Sequence, residues 1–348
     1  MVSEKGQLPV SPRVVVAGAG SIGCYVGGLI AAAGGDVRFL VRPRIAAEIR
    51  GHGLTLTDLD GMAVSVGADE VTLAEDPSCL KDADLVLVTV KSGSTAEMAS
   101  LISTHAPQSS PVISLQNGVG NADILRAALP GRDVRAGMVA FNVVPMGQGC
   151  YHRAVEGDIL IEAGPGDLTA PLQVPGLTAV ESRDMEAVQW GKVLMNLNNA
   201  LNALSGLPLQ QQLQNRAWRK LMADQWAEAH GVLKAAGITP KAFTAVSVGM
   251  LPWVLRLPNV VFLRLASAML KIDPQARTSM SYDLMERRPT EVDALQGVII
   301  AKGQEVGKAT PINAMILDVI KTAELAGEGL PNLRPEALRA EMVQSENG

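Results

Sequence analysis

Residues 13–23 read RVVVAGAGSIG, and this stretch decides the fold of the first half of the chain. Residues 13–17 are a β-branched run typical of a buried strand, and residues 21–33 have the composition of a helix. The turn between them has the pattern G-x-G-x-x-G, whose glycines permit a tight turn, a close diphosphate and helix–strand packing. The pattern predicts that Gly18, Ala19, Gly20, Ser21, Ile22 and Gly23 bind a dinucleotide. A glycine turn that binds no ligand is the alternative.

Beyond this stretch, short apolar runs alternate with helical patterns through the first half of the chain. Strands are predicted at residues 37–41, 54–57, 63–66, 84–90, 111–115, 134–144 and 158–162, and helices at 45–50, 95–104 and 120–129. Continuous apolar strands separated by helices indicate a parallel sheet covered on both faces. The predicted fold class of this half is therefore α/β, a Rossmann-like doubly wound parallel sheet.

Strand signals nearly vanish after residue 183, and long helical patterns follow. Helices are predicted at residues 184–204, 214–236, 254–270, 291–306 and 313–324, and the last dozen residues are expected to fray. The chain is thus divided into a loose tail at 1–12, a dinucleotide-binding Rossmann domain at 13–183, and a mostly α-helical substrate and catalytic domain at 184–348.

The overall composition excludes several classes of protein. The 348 residues carry 30 basic and 35 acidic side chains and contain only 4 Trp, 3 Tyr and 4 Phe, so nucleic acid is not expected as a partner. The three cysteines do not form a disulfide framework, which indicates a reducing, cytoplasmic compartment. The spacing of the four histidines predicts no metal site. The uncharged residues 14–35 contain too much glycine for a membrane span, and residues 1–12 do not have the layout of a signal peptide.

The end of the second predicted strand indicates which dinucleotide to expect. An NAD enzyme usually has Asp or Glu there to bind the ribose 2′-hydroxyl, whereas this chain has Arg42, with Arg44 two residues later. A guanidinium pairs with a 2′-phosphate through charge-assisted hydrogen bonds. The sequence therefore predicts NADPH as the cofactor, and a solvated surface charge is the alternative role of Arg42.

Polar residues also follow two later strands. Lys91 follows the strand at residues 84–90, and Asn117 follows the strand at residues 111–115. Ligands of doubly wound sheets bind outside the carboxyl ends of the strands, so both side chains are expected at the ribose and nicotinamide end of the cofactor. A solvated lysine and an ordinary Asn-Gly turn are the alternatives.

In the helical half, Lys192 begins the run KVLMNLNNALN. On a continuous helix, Lys192, Asn196 and Asn199 lie within roughly 60° of one another. A lysine beside amides on an uncharged run is partly desolvated, which moves its pKa toward neutrality and suits it to donate a proton. The alternative is a lysine whose ammonium reaches the solvent.

A last polar cluster lies at residues 279–293, where SMSYD is followed by RPTEVD. Thr290 with Asp293 resembles a helix-capping pattern, and Glu291 suits the first turn of a helix. Capping explains most of this string, but it does not explain Ser279, nor why Glu291 precedes an apolar face.

In order along the chain, GAGSIG, VTVKS, LQNG, WGKVLMN, SM..D and R.TE.D resemble the motifs of the ketopantoate reductase (2-dehydropantoate 2-reductase) family. The resemblance implies an NADPH-dependent reductase that binds the cofactor between a Rossmann domain and a helical domain. It implies Lys192 as proton donor, Asn117, Asn196 and Ser279 on the substrate, Arg42 on the 2′-phosphate, and Lys91, Asn117 and Glu291 on the nicotinamide side.

We therefore expect reduction of ketopantoate to pantoate, a step of pantothenate and coenzyme A biosynthesis, with Lys192 and Glu291 as the catalytic residues. The sequence departs from the family pattern at Ala200, where an asparagine is common and where Asn199 or Asn202 could substitute. It also has an apolar insert at residues 241–271, through which a homodimer could form. Two alternatives stay open: a related reductase of another small 2-oxo acid, and a non-catalytic NADPH-binding regulator.

Overall fold

The two halves of the chain fold as two units. The computed structural model describes residues 8–243, 246–265 and 275–346. These residues belong to a first unit, Met1–Met185, and a second unit, Glu186–Gly348. Within the described ranges, no helix is both long enough and apolar enough to cross a bilayer.

The first unit is built on two sheets. Its strands are β1 (Val14–Ala17), β2 (Val37–Leu40), β3 (Leu54–Asp58), β4 (Ala63–Val66), β5 (Thr72–Ala74), β6 (Leu85–Val88), β7 (Val112–Ser114), β8 (Val134–Val139), β9 (Val143–Gly147), β10 (Cys150–Arg153), β11 (Ile159–Glu162) and β12 (Ala179–Ser182). The larger sheet has the order β12-β11-β8-β7-β6-β1-β2-β5. All neighbours in it are parallel except β8 and β11. The chain winds outward from β1 in both directions, which confirms the doubly wound sheet.

The strands that precede the candidate residues end level with one another. Ala17 of β1 pairs with Leu40 of β2 and with Val88 of β6, and Val88 pairs with Ser114 of β7. Each of these residues is the last of its strand. The segments that follow them therefore leave the sheet along one edge, where ligands of such sheets bind.

The smaller sheet has the order β4-β3-β10-β9. The predicted pair at residues 54–66 forms antiparallel β3 and β4, but β10 lies parallel to β3 and was not predicted. Strands β5 and β12 were also not predicted, and the single strand predicted at residues 134–144 is divided into β8 and β9. Short strands of this kind depend on partners far away along the chain, so local periodicity does not reveal them.

Helices cover the large sheet and form most of the second half. They are α1 (Ser21–Ala32), α2 (Pro43–His52), α3 (Thr95–His105), α4 (Asn121–Ala128), α5 (Met185–Asn196), α6 (Asn198–Ser205), α7 (Leu209–Gln214), α8 (Arg216–Ala235), α9 (Leu251–Arg256), α10 (Asn259–Leu265), α11 (Ser279–Met285), α12 (Val298–Glu305), α13 (Pro311–Ala326) and α14 (Pro335–Glu346). Short 3₁₀ turns lie at Pro77–Asp82, Ser92–Ser94 and Ala170–Leu172, and a π-helical turn lies at Asp293–Gly297. The predicted helical second half is thus confirmed.

The predicted single helix at residues 184–204 is interrupted at Leu197, between α5 and α6. The Leu197 carbonyl accepts hydrogen bonds from Gln225 Nε2 at 3.3 Å and from Gln296 Nε2 at 2.9 Å. Side chains from α8 and from the π-helical turn thus bond to the carbonyl of the residue that separates α5 from α6 and serves as the N-cap of α6. Leu197 keeps helical dihedral angles, φ −56° and ψ −32°, so the interruption is one of hydrogen bonding.

Two other predicted helices are also divided. Leu257 separates α9 from α10 with ψ 150°, because a residue that precedes proline is driven out of the helical region. Residues 266–270 of that predicted helix lie outside the described residues. The predicted helix at residues 291–306 consists of the π-helical turn Asp293–Gly297 followed by α12.

The expected fraying of the last dozen residues is wrong within the described part. This segment belongs to α14, where Leu338 is 1% exposed. Arg339 pairs with Asp224 of α8 at 2.6 Å. Burying one leucine contributes roughly 1.5–3 kcal/mol, which favours this terminal helix in its packed position.

The described part of the 241–271 insert packs on the helices of the second unit. Lys241 N donates to Ala187 O of α5 at 2.8 Å, and Trp226 Nε1 of α8 donates to Val248 O at 3.0 Å. Phe262 is buried, and the Arg219 guanidinium lies 4.0 Å from the centre of its ring. The described part of the insert therefore enlarges the helical core. Residues 244–245 and 266–271 of the insert lie outside the described residues.

Candidate functional site

The turn after β1 has the geometry that a dinucleotide-binding turn needs. Gly18 has φ +110°, and a Cβ atom there would lie 2.5 Å from Val90 Cγ1. A Cβ atom on Gly23 would lie 2.4 Å from the Gly18 carbonyl oxygen, so α1 packs directly on the turn. A Cβ atom on Gly20 would meet no described atom within 4 Å. Packing within the protein thus requires glycine at two positions, and Gly20 borders open space at the start of α1.

The start of α1 presents backbone N–H groups that no helical acceptor uses. The hydrogen bonding of α1 begins where Cys24 N donates to Gly20 O at 2.8 Å. The N–H groups of Ser21, Ile22 and Gly23 precede that bond and therefore have no acceptor within the helix. The first turn of α1 contains no acidic side chain, and the helix dipole favours an anion there.

Arg42 is the second residue after β2 and precedes Pro43, the first residue of α2. It is exposed, and its side chain forms no ion pair or hydrogen bond with any residue of the described ranges. Arg44, by contrast, lies 3.6 Å from Glu48. The Arg42 guanidinium is therefore available to an anionic group, as the predicted contact with a 2′-phosphate requires.

Lys91 and Asn117 are both exposed at the carboxyl ends of β6 and β7. Ser92 Oγ, in the residue after Lys91, donates to Asn117 O at 3.0 Å. Asn121 Nδ2, at the start of α4, donates to the same carbonyl at 2.8 Å. The structure thus links the two loops that carry these predicted cofactor residues.

Three buried polar residues beside these loops were missed by the sequence analysis. Thr95 is 0% exposed, Asn121 is 4% exposed and Gln116 is 6% exposed. The Thr95 hydroxyl connects their side chains: its Oγ1 accepts from Gln116 Nε2 at 2.7 Å and lies 2.9 Å from Asn121 Oδ1. The signal available in the sequence was their position, next to strand ends and helix starts, but a polar residue there is usually exposed.

Lys192 lies in the middle of α5 and is half-buried. Burial lowers its pKa from the usual value to about 8, because the charged form loses hydration. It forms no ion pair or hydrogen bond with any other residue that the structure describes. A lysine in this state can both donate a proton and hold a developing negative charge.

The asparagines that follow Lys192 fall into two groups. Asn198 and Asn202 both hydrogen-bond to Gln212 of α7, and the Asn202 amide also bonds to Leu207 O, Thr278 N and Ser281 Oγ. Asn196 and Asn199 are half-buried, and their side chains form no hydrogen bond with the rest of the described chain.

These contacts decide which amides are available to a ligand. Asn202 is excluded as a substitute at the family's second asparagine position, because its amide is fully used by the protein. Ala200 is 0% exposed and contributes no polar group. Asn196 and Asn199 are the amides of this run that a substrate could use.

Ser279 and Glu291 lie on segments that hydrogen-bond to the α5–α6 region. Thr278 Oγ1, in the residue before Ser279, donates to Asn199 O at 3.1 Å. Gln296, in the π-helical turn that follows Glu291, donates to Leu197 O. The second unit therefore brings the segments of Lys192, Asn199, Ser279 and Glu291 next to one another.

The capping pattern near Glu291 is only half formed. Thr290 Oγ1 accepts from Val292 N at 3.2 Å, as a capping side chain does. The Asp293 carboxylate instead pairs with Lys321 at 2.5 Å, and Thr290 N donates to Glu324 at 2.7 Å. A partner from α13 has replaced the local one, which sequence spacing cannot show.

Two family models match successive parts of this chain. The model described as ketopantoate reductase PanE/ApbA matches residues 14–166, and the model of the C-terminal region of the same family matches residues 184–324. Together they cover most of the chain, including the GAGSIG turn and the segments of Lys192, Ser279 and Glu291.

Individual proteins described as members of the same family are also similar to this chain in sequence and in structure. The 2-dehydropantoate 2-reductase of Halobacterium salinarum is 27% identical over 326 residues, which cover 90% of this chain and 100% of that one. The crystal structure of a PanE/ApbA family ketopantoate reductase from Ralstonia eutropha has a TM-score of 0.77 and 29% identity, over 91% of this chain and 99% of that one. A 2-dehydropantoate 2-reductase from Geobacter metallireducens has a TM-score of 0.75 and 26% identity, over 89% of this chain and 99% of that one.

Proposed function

The chain belongs to the ketopantoate reductase PanE/ApbA family, and on that premise we propose that it reduces 2-dehydropantoate (ketopantoate) to pantoate with NADPH. Membership makes it an oxidoreductase with a nicotinamide cofactor. The observation that carries the finer proposal is Lys192, a half-buried lysine with a lowered pKa and no partner in the described structure.

The cofactor residues of the proposal all follow strand ends of the first unit. The turn at Gly18, Gly20 and Gly23 and the first N–H groups of α1 would hold the diphosphate. Arg42 would bind the 2′-phosphate, and Lys91 and Asn117 would lie along the ribose and the nicotinamide. When bound, NADPH supplies the hydride that adds to the carbonyl carbon of the substrate.

Lys192 is the proton donor of the proposed reaction. A pKa of about 8 leaves it mostly protonated at neutral pH, yet lets it release its proton more readily than an ordinary lysine. Its proton goes to the carbonyl oxygen as negative charge develops there, so that hydride on carbon and proton on oxygen convert the ketone into an alcohol. Glu291 would orient Lys192 or the substrate hydroxyl.

The substrate residues of the proposal are polar groups that the protein leaves available. Asn196 and Asn199 have unpaired half-buried amides, and Ser279 is exposed at the start of α11. Asn117 would contact the substrate from the first unit. Half-buried amides without partners recover hydrogen bonds when a ligand binds, which favours a small polar substrate.

A second candidate function is the reduction of another small 2-oxo acid. The observation that favours it is Ala200, which is buried and cannot hydrogen-bond to a substrate, while Asn202 is used by the protein. A substrate that has no hydroxyl group facing Ala200 would lose no hydrogen bond at this position. Specificity between two such acids then depends on whether Asn199 takes over the missing bond.

One assay separates the two candidates. Purified protein is mixed with NADPH and ketopantoate, and loss of NADPH absorbance is compared with that for a panel of branched 2-oxo acids that lack the hydroxyl. We expect the highest kcat/KM with ketopantoate. A higher kcat/KM for one of the other acids would identify the second candidate, and no oxidation with any acid would contradict both.

Arg42 provides a prediction about cofactor choice. Arg42→Ala should raise the Kd of NADPH by roughly 10- to 100-fold, because it removes a charge-assisted contact to the 2′-phosphate. The Kd of NADH, which lacks that phosphate, should hardly change. Arg50→Ala is the matched control, since Arg50 is an exposed arginine of α2 that pairs with Glu75 at 2.8 Å. Equal effects of Arg42→Ala on both dinucleotides would remove Arg42 from this role.

The pH profile provides a second prediction. The protonated form of Lys192 is the active one, so kcat/KM should fall as pH rises through about 8. The decline should approach tenfold per pH unit and should be absent in Lys192→Arg, whose guanidinium keeps its proton throughout the range. A wild-type profile that stays flat from about pH 7 to about pH 9.5 would contradict the assignment.

A further inference from the structure

The loops that carry Lys91 and Asn117 are joined by a network of buried side chains centred on Thr95. Gln116 Nε2 donates to Thr95 Oγ1 at 2.7 Å and to Val90 O at 3.1 Å, and Gln116 Oε1 accepts from Ser114 Oγ at 2.9 Å. One glutamine thus connects the end of β7, the residue before Lys91 and the first residue of α3.

Asn121 extends the network to the other side of both loops. Its Nδ2 donates to Asn117 O at 2.8 Å and to Ser92 Oγ at 3.2 Å, and its Oδ1 lies 2.9 Å from Thr95 Oγ1. The network therefore hydrogen-bonds to both chain neighbours of Lys91, to Val90 through Gln116 and to Ser92 through Asn121.

The Thr95 hydroxyl holds the two halves together. It accepts from Gln116 Nε2, and its single proton serves either Ser92 O at 2.8 Å or Asn121 Oδ1 at 2.9 Å. Thr95 is 0% exposed, so no water can replace it without rearrangement. With this proton on Asn121 Oδ1, every polar side-chain atom of Thr95, Gln116 and Asn121 has a partner, and a buried network satisfied in this way holds its groups in one arrangement.

We propose that Thr95, with Gln116 and Asn121, is a positioning residue that fixes Lys91 and Asn117 at the spacing the nicotinamide end of the cofactor requires. This inference rests on the proposed function, since it assumes that Lys91 and Asn117 contact the cofactor. Because Thr95, Gln116 and Asn121 are buried, the network acts through the backbone on either side of Lys91 and at Asn117 O.

A pair of variants tests the role of the hydroxyl. Thr95→Val keeps the shape and removes the hydroxyl, whereas Thr95→Ser keeps the hydroxyl and removes a methyl group. We expect Thr95→Val to raise the Kd of NADPH about tenfold, measured by fluorescence titration without any substrate, and Thr95→Ser to bind like the wild type. Wild-type affinity in Thr95→Val would overturn the proposal.

A control separates positioning from loss of stability. Ser110 is 2% exposed and donates to Ala83 O at 2.5 Å, beyond the opposite ends of the strands. Ser110→Ala should lower Tm about as much as Thr95→Val and leave the Kd of NADPH unchanged. If Ser110→Ala, at a similarly lowered Tm, also binds NADPH as weakly as Thr95→Val, loss of stability alone explains the weaker binding, and the proposal is overturned.

A combined variant tests whether Thr95 acts through the two predicted cofactor residues. In the background Lys91→Ala/Asn117→Ala, Thr95→Val should have no further effect on the Kd of NADPH. A full additional tenfold loss would show that Thr95 acts by another route and would overturn the proposal.

These binding measurements do not depend on the choice of substrate. If the wild type binds NADPH but reduces no 2-oxo acid, the proposed function fails while the effect of Thr95→Val on binding is still measured. If the wild type binds neither NADPH nor NADH, both the proposed function and the positioning role fail.

Discussion

Replacing Lys192 with alanine should lower kcat by roughly 10²–10⁴ and leave the affinity for NADPH nearly unchanged. The loss follows from removing a proton donor from the transition state, which is the usual magnitude of general acid catalysis. The cofactor affinity should be retained because the predicted phosphate contacts are at the glycine turn and Arg42, not on α5. Turnover is followed by NADPH absorbance, and affinity by fluorescence titration.

Lys192→Met separates the chemistry of the ammonium from its packing. Methionine has a similar length but no charge, and burial already disfavours the charged lysine, as its lowered pKa shows. We therefore expect Lys192→Met to lose turnover like Lys192→Ala while its Tm is equal to or higher than that of the wild type. Lys220→Ala, at an exposed lysine of α8, is the control that should change neither. Turnover of Lys192→Met within about threefold of the wild type would remove Lys192 from the mechanism.

Replacing Gly20 with alanine should weaken NADPH binding by about 100-fold or more without destabilising the fold. The added methyl group would enter the open space beside the start of α1, where it meets no described atom within 4 Å. A diphosphate held there would lose about two hydrogen bonds to the backbone, each worth roughly 1.5–3 kcal/mol when one partner is charged. Gly20 has φ −81° and ψ −168°, which alanine adopts without strain.

Two other glycine variants make this result specific. Gly51→Ala, in α2, also adds a methyl group that contacts nothing described within 4 Å, and should leave NADPH affinity unchanged. Gly23→Ala would place its methyl group 2.4 Å from Gly18 O and should lower Tm as well as affinity. If Gly20→Ala binds NADPH as tightly as Gly51→Ala, the diphosphate is not held at this turn.

Local patterns predicted the sheet and its glycine turn correctly. The runs around residues 13–17, 37–41, 84–90 and 111–115 each became a strand, and the helices that begin at Ser21 and Thr95 began where predicted. Gly206 follows the last residue of α6 and has the left-handed φ of 65° that glycine favours, and Pro311 is the first residue of α13. These features depend on residues within a few positions of one another, so a single sequence carries them.

The availability of the candidate side chains could not be predicted in the same way. Asn198, Asn199 and Asn202 have similar sequence surroundings, yet two of them bond to Gln212 and one does not. Gln116 and Asn117 are adjacent, yet one is 6% exposed in a network and the other is exposed. Nothing within the local pattern distinguishes them, because their partners come from distant segments.

The sequence by itself determined the α/β and helical halves, the glycine turn after β1, and the candidate roles of Arg42 and Lys192. Only the tertiary structure decided that α5 ends at Asn196, that Asn202 is structural, and that Thr95 joins the loops of Lys91 and Asn117. The physical reason is the range of the interactions. Strand, turn and helix signals arise from local backbone preferences, whereas the satisfaction of a buried amide, carbonyl or hydroxyl depends on partners that only folding brings within hydrogen-bonding distance.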